Sequence, residues 1–165
     1  MNSVDRISET LLRKRAEEYR SRGLEDKHAG MKDYLLICSG SLRCALELKC
    51  LVSMLPMPEL TIVPNMPKAY LGVFAARGVL HEAFSLPVLL NESTVEHASM
   101  VLVRDLGGEE LGLAVSEMLG IEPLPAECKS QVSDPHWPEC LAGKLADDIY
   151  LLNVDILVDH LKKDG

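Results

Sequence analysis

The chain has 165 residues, 47% of them hydrophobic, and a net charge of −8, enough apolar material for one core or for two closely joined subdomains. The acidic balance excludes nonspecific nucleic-acid binding, which depends on neutralising phosphates with Lys and Arg. No run approaches the roughly 20 apolar residues that a membrane span needs, and the charged N-terminus lacks a signal peptide's apolar region, so the protein is expected in the cytoplasm.

The first element is an amphipathic helix from about Asp5 to Arg22, where Val4, Ile7, Leu11, Leu12, Ala16 and Tyr19 recur near the helical period. Glu9 and Arg13 stand four apart in the favourable order. Arg6, Arg13, Lys14, Arg15, Arg20 and Arg22 against Asp5, Glu9, Glu17 and Glu18 make this stretch +2 and leave −10 for the remainder. Such a helix either covers its own domain or captures another protein, and both readings stand at this point. Gly23 is the expected stop. The division is residues 1–31 for helix and linker and 32–165 for the domain.

In YLLICSGSLRCALEL a two-residue turn at Gly40 and Ser41 pairs Ser39 with Leu42, Ile37 with Cys44 and Leu35 with Leu46. Leu35, Ile37, Leu42, Cys44 and Leu46 then share one apolar face, and Cys38 lies on the other with Arg43 and Glu47. The run PNMPKAYLGVFAARGVL, Pro64 to Leu80, reads as two prolines that stiffen an extended approach, a strand broken by Gly72, and a tight turn at Arg77 and Gly78. Gly78 is expected to take a positive φ and leave Arg77 projecting from the tip.

A short helical piece, LPVLL, is expected after Ser85. Gly107 and Gly108 signal a hairpin between MVLVRDL and EELGLAVSE. A two-residue turn there places Leu102, Leu106, Leu111, Leu113 and Val115 on one face and Val101, Val103, Gly112 and Ala114 on the other. Both faces are apolar, so these strands are expected to be central ones. A last helix begins after Asn153 as N-cap, with Asp155 in its first turn and Lys162 and Lys163 at its end.

The five cysteines, Cys38, Cys44, Cys50, Cys128 and Cys140, contain no CxxC pair and do not match a zinc site, so they read as free thiols. The glycine-rich pieces SGSL and DLGGEE are hairpin tips with no following helix, unlike a phosphate-cradling loop. The histidines are scattered. Cys44 with His81 is a conceivable dyad that nothing in the spacing supports. The chain therefore reads as a non-enzyme with no cofactor and no metal.

Residues from Tyr34 to about Leu161 resemble a CheW-like domain, the module of bacterial chemotaxis coupling proteins and of the regulatory domain of CheA histidine kinases. Five pieces carry the resemblance in order: YLLICSGSLRCALEL, LVSMLPMPELTIVPNMP, YLGVFAARGVL, MVLVRDLGGEELGLAVSEMLGIEPLP and ECLAGKLADDIYLLNVDILV. The resemblance implies a mostly β fold of two SH3-like five-stranded barrels sharing a hydrophobic interior, with the chain crossing between them. It implies a non-catalytic adaptor that couples a CheA-type kinase regulatory domain to the cytoplasmic tip of a chemoreceptor and is recruited to receptor arrays. The family's interface positions fall at Leu51, Ser53, Gly72, Arg77, Gly78 and Ile121. Three positions depart from the family pattern: Ser85 and Ser116 stand where acidic residues are usual, and Glu82 where proline is. The departures suit a coupling protein of an auxiliary system, controlling pili or surface behaviour, as well as a flagellar one. The alternatives are a protein-binding β-barrel module outside chemosensing and a thiol-dependent enzyme.

Overall fold

The computed structural model describes residues 30–93, 95–128, 140–146 and 148–164, with side chains to Leu161, so the expected N-terminal helix lies outside the described residues. The chain begins in one sheet with β1 (Met31–Ser39) and β2 (Leu42–Glu47). A 3-10 turn at Leu48–Cys50 carries it into a second sheet made of β3 (Leu51–Pro56), β4 (Tyr70–Ala76), β5 (Val79–Ser85), β6 (Ser99–Arg104) and β7 (Glu110–Val115). The chain then returns to the first sheet with β8 (Glu117–Pro125), β9 (Leu141–Ala146) and β10 (Ile149–Leu152). The helices are α1 (Leu86–Leu89), which joins β5 to β6, and the closing α2 (Val154–Asp164).

The strand orders are β8-β1-β2-β10-β9 and β3-β6-β7-β5-β4. Each sheet is antiparallel except for one parallel pair, β2 with β10 in the first and β5 with β7 in the second. These are the two five-stranded units expected, with the chain crossing between them twice.

Three clusters of buried side chains explain why so many strands read as apolar on both faces. The central one takes Leu35, Ile37, Cys44 and Leu46 from the first sheet and Val101, Val103, Leu111, Leu113 and Val115 from the second, with Leu157 and Val158 of α2 against it. A second cluster lies on the other face of the second sheet, around Phe74, Ala83, Met100 and Leu102. The third lies on the other face of the first sheet, around Tyr34, Leu36, Ala45 and Leu145. Strands β1, β2, β6 and β7 therefore bury both faces, and alternation of polar and apolar residues disappears. Gly112 is part of this packing, since a Cβ there would sit 2.6 Å from the Phe74 ring.

The β1–β2 register is the one expected, from Ser39 opposite Leu42 to Tyr34 opposite Glu47. The β6–β7 register corrects the expectation. Arg104 faces Glu110, Val103 faces Leu111 and Val101 faces Leu113, so the connection has five residues, 105–109, and not two. The Asp105 carboxylate accepts the Glu109 N–H at 2.8 Å, and the Asp105 N–H donates to the Glu109 carbonyl at 3.0 Å. This wider, side-chain-closed loop shifts the pairing by one residue, which moves every β6 side chain to the opposite face relative to β7. Val101 and Val103 join Leu111, Leu113 and Val115 in the central core, and Leu102 joins Gly112 and Ala114 on the other face. Leu106 is left at the tip, 82% exposed.

Both short helices start as expected. The Ser85 hydroxyl caps α1 by accepting the Val88 N–H, and the Asn153 side chain caps α2 by accepting the Ile156 N–H at 3.1 Å.

Candidate functional site

Strands β4 and β5 pair to the end of the hairpin, with Ala76 opposite Val79, and leave only Arg77 and Gly78 in the turn. Their φ angles are 57° and 77°. A turn with both central residues left-handed matches the twist of the strands, and it suits Asn-Gly best. Arginine in the first position carries a steric penalty that Gly78 does not. Arg77 is exposed, and its guanidinium has no hydrogen bond or ion pair among the described residues. Beside it Val79 is 56% and Leu80 72% exposed, on opposite faces of β5. The tip thus combines a left-handed arginine that makes no polar contact among the described residues with two exposed apolar side chains on the strand that follows it.

Gly72 acts through its backbone. Its φ is 135°, and a Cβ there would collide with the carbonyl oxygen of Thr61. Thr61 and Val73 exchange both backbone hydrogen bonds, at 2.8 and 2.9 Å. Glycine at 72 is therefore what lets the segment between β3 and β4 lie along the outer edge of β4, which would otherwise be unpaired.

Leu51 and Ile121 come from different sheets and pack, half-buried, on the same central core. Leu51 faces Val103 on β6, and Ile121 faces Leu35 on β1. Ser53 faces Leu102 beyond a bulge and is only 1% exposed, so it supports the strand from inside. Apart from buried Ser53, the expected positions thus fall into two groups: Gly72, Arg77 and Gly78 share the β4–β5 hairpin, while Leu51 and Ile121 each pack on the core between the sheets. β3 and β4 stand at opposite ends of the second sheet's strand order.

Cys44 and His81 are not brought together. Cys44 lies in the central core, where burial pushes its thiol up to about 12, away from the reactive thiolate. His81 lies on β5 with its ring against Phe74, 5.6 Å between centroids. Among the described residues no cysteine is in a disulfide, and no three His, Cys, Asp or Glu side chains converge as a metal site requires. No helix among the described residues is long and apolar enough to cross a membrane.

A family model described as the CheW-like domain matches residues 33–161. The chain belongs to the CheW-like family. Its structure is similar to the crystal structure of the scaffolding protein TtCheW from Thermoanaerobacter tengcongensis, with a TM-score of 0.65 and 16% sequence identity over 73% of this chain and 88% of that one. At that identity the likeness speaks for the fold alone. No curated protein matches the chain.

Two of the departures from the CheW-like pattern take up hydrogen-bonding roles in this chain. The Ser85 hydroxyl lies 2.6 Å from His97 Nε2 as well as capping α1. The Ser116 hydroxyl accepts the Gly40 N–H at 2.9 Å and donates to the Glu96 carbonyl at 3.0 Å. Glu82 is exposed on β5 beside the Tyr70 hydroxyl. Val79 and Leu80, the apolar flank of Arg77, were not among the positions expected from the sequence. Alternation would let one of two consecutive apolar residues point inward, so nothing in the sequence marks both as exposed.

Proposed function

We propose that this CheW-like protein is a non-catalytic adaptor of a bacterial chemosensory complex, joining a CheA-type histidine kinase to the cytoplasmic tip of a chemoreceptor. The observation that carries the reading is the β4–β5 tip, where exposed Arg77 has no hydrogen bond or ion pair among the described residues and the next two side chains along the chain, Val79 and Leu80, are exposed as well. Arginine against apolar surface is the composition of an interface hot spot. Family membership supports the class of partner, and the scaffolding role named for TtCheW supports the class of activity.

In this reading Gly72 and Gly78 shape the tip, Arg77 anchors it, and Leu51 and Ile121 line a second, apolar contact where the two sheets meet. Ser53 backs that strand from inside. The protein works in the cytoplasm and is drawn to membrane-associated receptor arrays by its partners. The serines at 85 and 116 are compatible with a place in an auxiliary pathway as well as in a flagellar one. Co-purification from the native organism tests this. Recovery of a CheA-type kinase and a chemoreceptor with the protein is the expected result; recovery of neither would favour a binding module outside chemosensing.

A further inference from the structure

Besides the shared core, a short relay of hydrogen bonds links the two sheets. On the first sheet's side is the β1–β2 turn. Gly40 donates its N–H to the Ser116 hydroxyl at 2.9 Å, and the Ser41 hydroxyl donates to the Glu92 carboxylate at 3.2 Å. Ser116 stands where the chain passes from β7 to β8, its own N–H bonded to the Cys38 carbonyl at 2.9 Å. Its hydroxyl donates to the Glu96 carbonyl at 3.0 Å. The next residue, His97, meets Ser85 at the end of β5, with Nε2 and Oγ 2.6 Å apart. The connection between α1 and β6 is thus held by the second sheet at His97 and at Ala98, whose N–H donates to the Val115 carbonyl at 2.9 Å, and holds the first sheet through Glu92 and Glu96.

We propose that the His97–Ser85 contact is a pH-sensitive fastening of the two halves, which protonation of the imidazole releases.

The argument is one of donors and acceptors. Ser85 is fully buried, and its Oγ already accepts the Val88 N–H at 3.3 Å. The hydroxyl proton has no acceptor other than His97 Nε2 among the described residues. Nε2 must therefore be bare, with the ring proton on Nδ1. A second ring proton would set two donors, Nε2–H and Ser85 O–H, against one another 2.6 Å apart. Either the serine turns its proton into a site without an acceptor or the contact opens, and a buried donor left unpaired is costly.

Among the described residues no neighbouring charge offsets this. Burial alone holds the imidazole below its usual value of 6.5. α1 carries no ionisable side chain, and neither does the start of β6 or the end of β7. On β5, His81 faces Phe74 and Glu82 lies by Tyr70. In the connection, Glu92 is engaged by Ser41 and Glu96 is exposed. A histidine held neutral in the folded state contributes stability that is complete above its unfolded value. That stability is lost as pH falls through about 6.5 toward the lower folded value.

The test follows the ring of His97 and the amide of Gly40 by NMR in the full chain between pH 8 and pH 5. The expected result is that His97 titrates below the ordinary histidine range and that the Gly40 amide loses roughly tenfold in protection over the same interval. His97→Gln, which keeps an acceptor and cannot take up a proton here, is expected to hold that protection constant. Constant Gly40 protection while wild-type His97 titrates would overturn the proposal. So would an equal loss in His97→Gln, which would assign the acid sensitivity to carboxylates. Should the variant fail to fold, the wild-type midpoints decide: a shared midpoint for the His97 ring and the Gly40 amide is expected, and a Gly40 midpoint away from that of His97 would overturn the proposal.

Discussion

At the scale of single residues, the positions that look least comfortable are the most informative. Arg77 sits at φ 57° where glycine or asparagine would be at ease. Arg77→Asn completes the preferred Asn-Gly turn, so it is expected to raise stability by about 0.5–1 kcal/mol while removing the tip's only charge. Thermal unfolding checks the sign, and a lower Tm would show that the arginine has a structural partner. Ser39 is the contrasting case. Its hydroxyl is fully buried without a hydrogen-bond partner among the described residues, and it alternates with Leu35 and Ile37 toward the central core. Ser39→Ala is expected to be neutral or stabilising by up to about 1 kcal/mol, because it removes an unsatisfied group. A loss of more than about 1 kcal/mol in a denaturant titration would mean that the hydroxyl is paired after all.

At the scale of elements, the two hairpins show what the sequence reveals and what it hides. The β1–β2 register was legible because its turn is two residues long and Arg43 and Glu47 mark the second strand. The β6–β7 register was hidden twice over. Both faces are apolar, so a slip by one residue leaves the pattern unchanged, and the Asp105 carboxylate closes a five-residue loop that the Gly-Gly pair disguises as a two-residue turn. The helix starts at Ser85 and Asn153 were legible because capping is local chemistry. The role of Gly72 was not, because the carbonyl it makes room for belongs to Thr61, on a segment whose path only the tertiary fold sets. Gly72→Ala is therefore expected to destabilise by roughly 2 kcal/mol or more, from a forbidden φ and a collision with backbone. Hydrogen exchange at the Val73 amide, bonded to Thr61 at 2.9 Å, should rise with it. An unchanged Val73 amide would contradict the account of the β4 edge.

At the scale of the whole molecule, the two sheets depend on one another. The central core draws side chains from both, so neither half could fold alone without exposing it. The chain upstream of β1 supplies none of the core residues described, so deletion of Met1 to Gly23 is expected to leave a cooperatively folding domain with a similar Tm. A broad, non-cooperative transition in the truncated protein would make the basic segment part of the core. A folded truncation that loses one partner would favour capture. The charge contrast between a +2 segment and a −10 remainder is compatible with either.

Leu51 and Ile121 are weak places to test docking, because both pack on the central core and a charge there would disturb folding as well as binding. Arg77 has no such difficulty. The most direct measurement is assembly of the cognate kinase and receptor on wild-type protein and on Arg77→Ala, by quantitative pull-down, with melting curves taken in parallel. An arginine hot spot loses about 2 kcal/mol or more on truncation, roughly thirtyfold in affinity, against less than about 0.5 kcal/mol for an ordinary exposed site. The account predicts a loss of assembly of that size with Tm unchanged or slightly raised. Full assembly by a folded Arg77→Ala protein would contradict it.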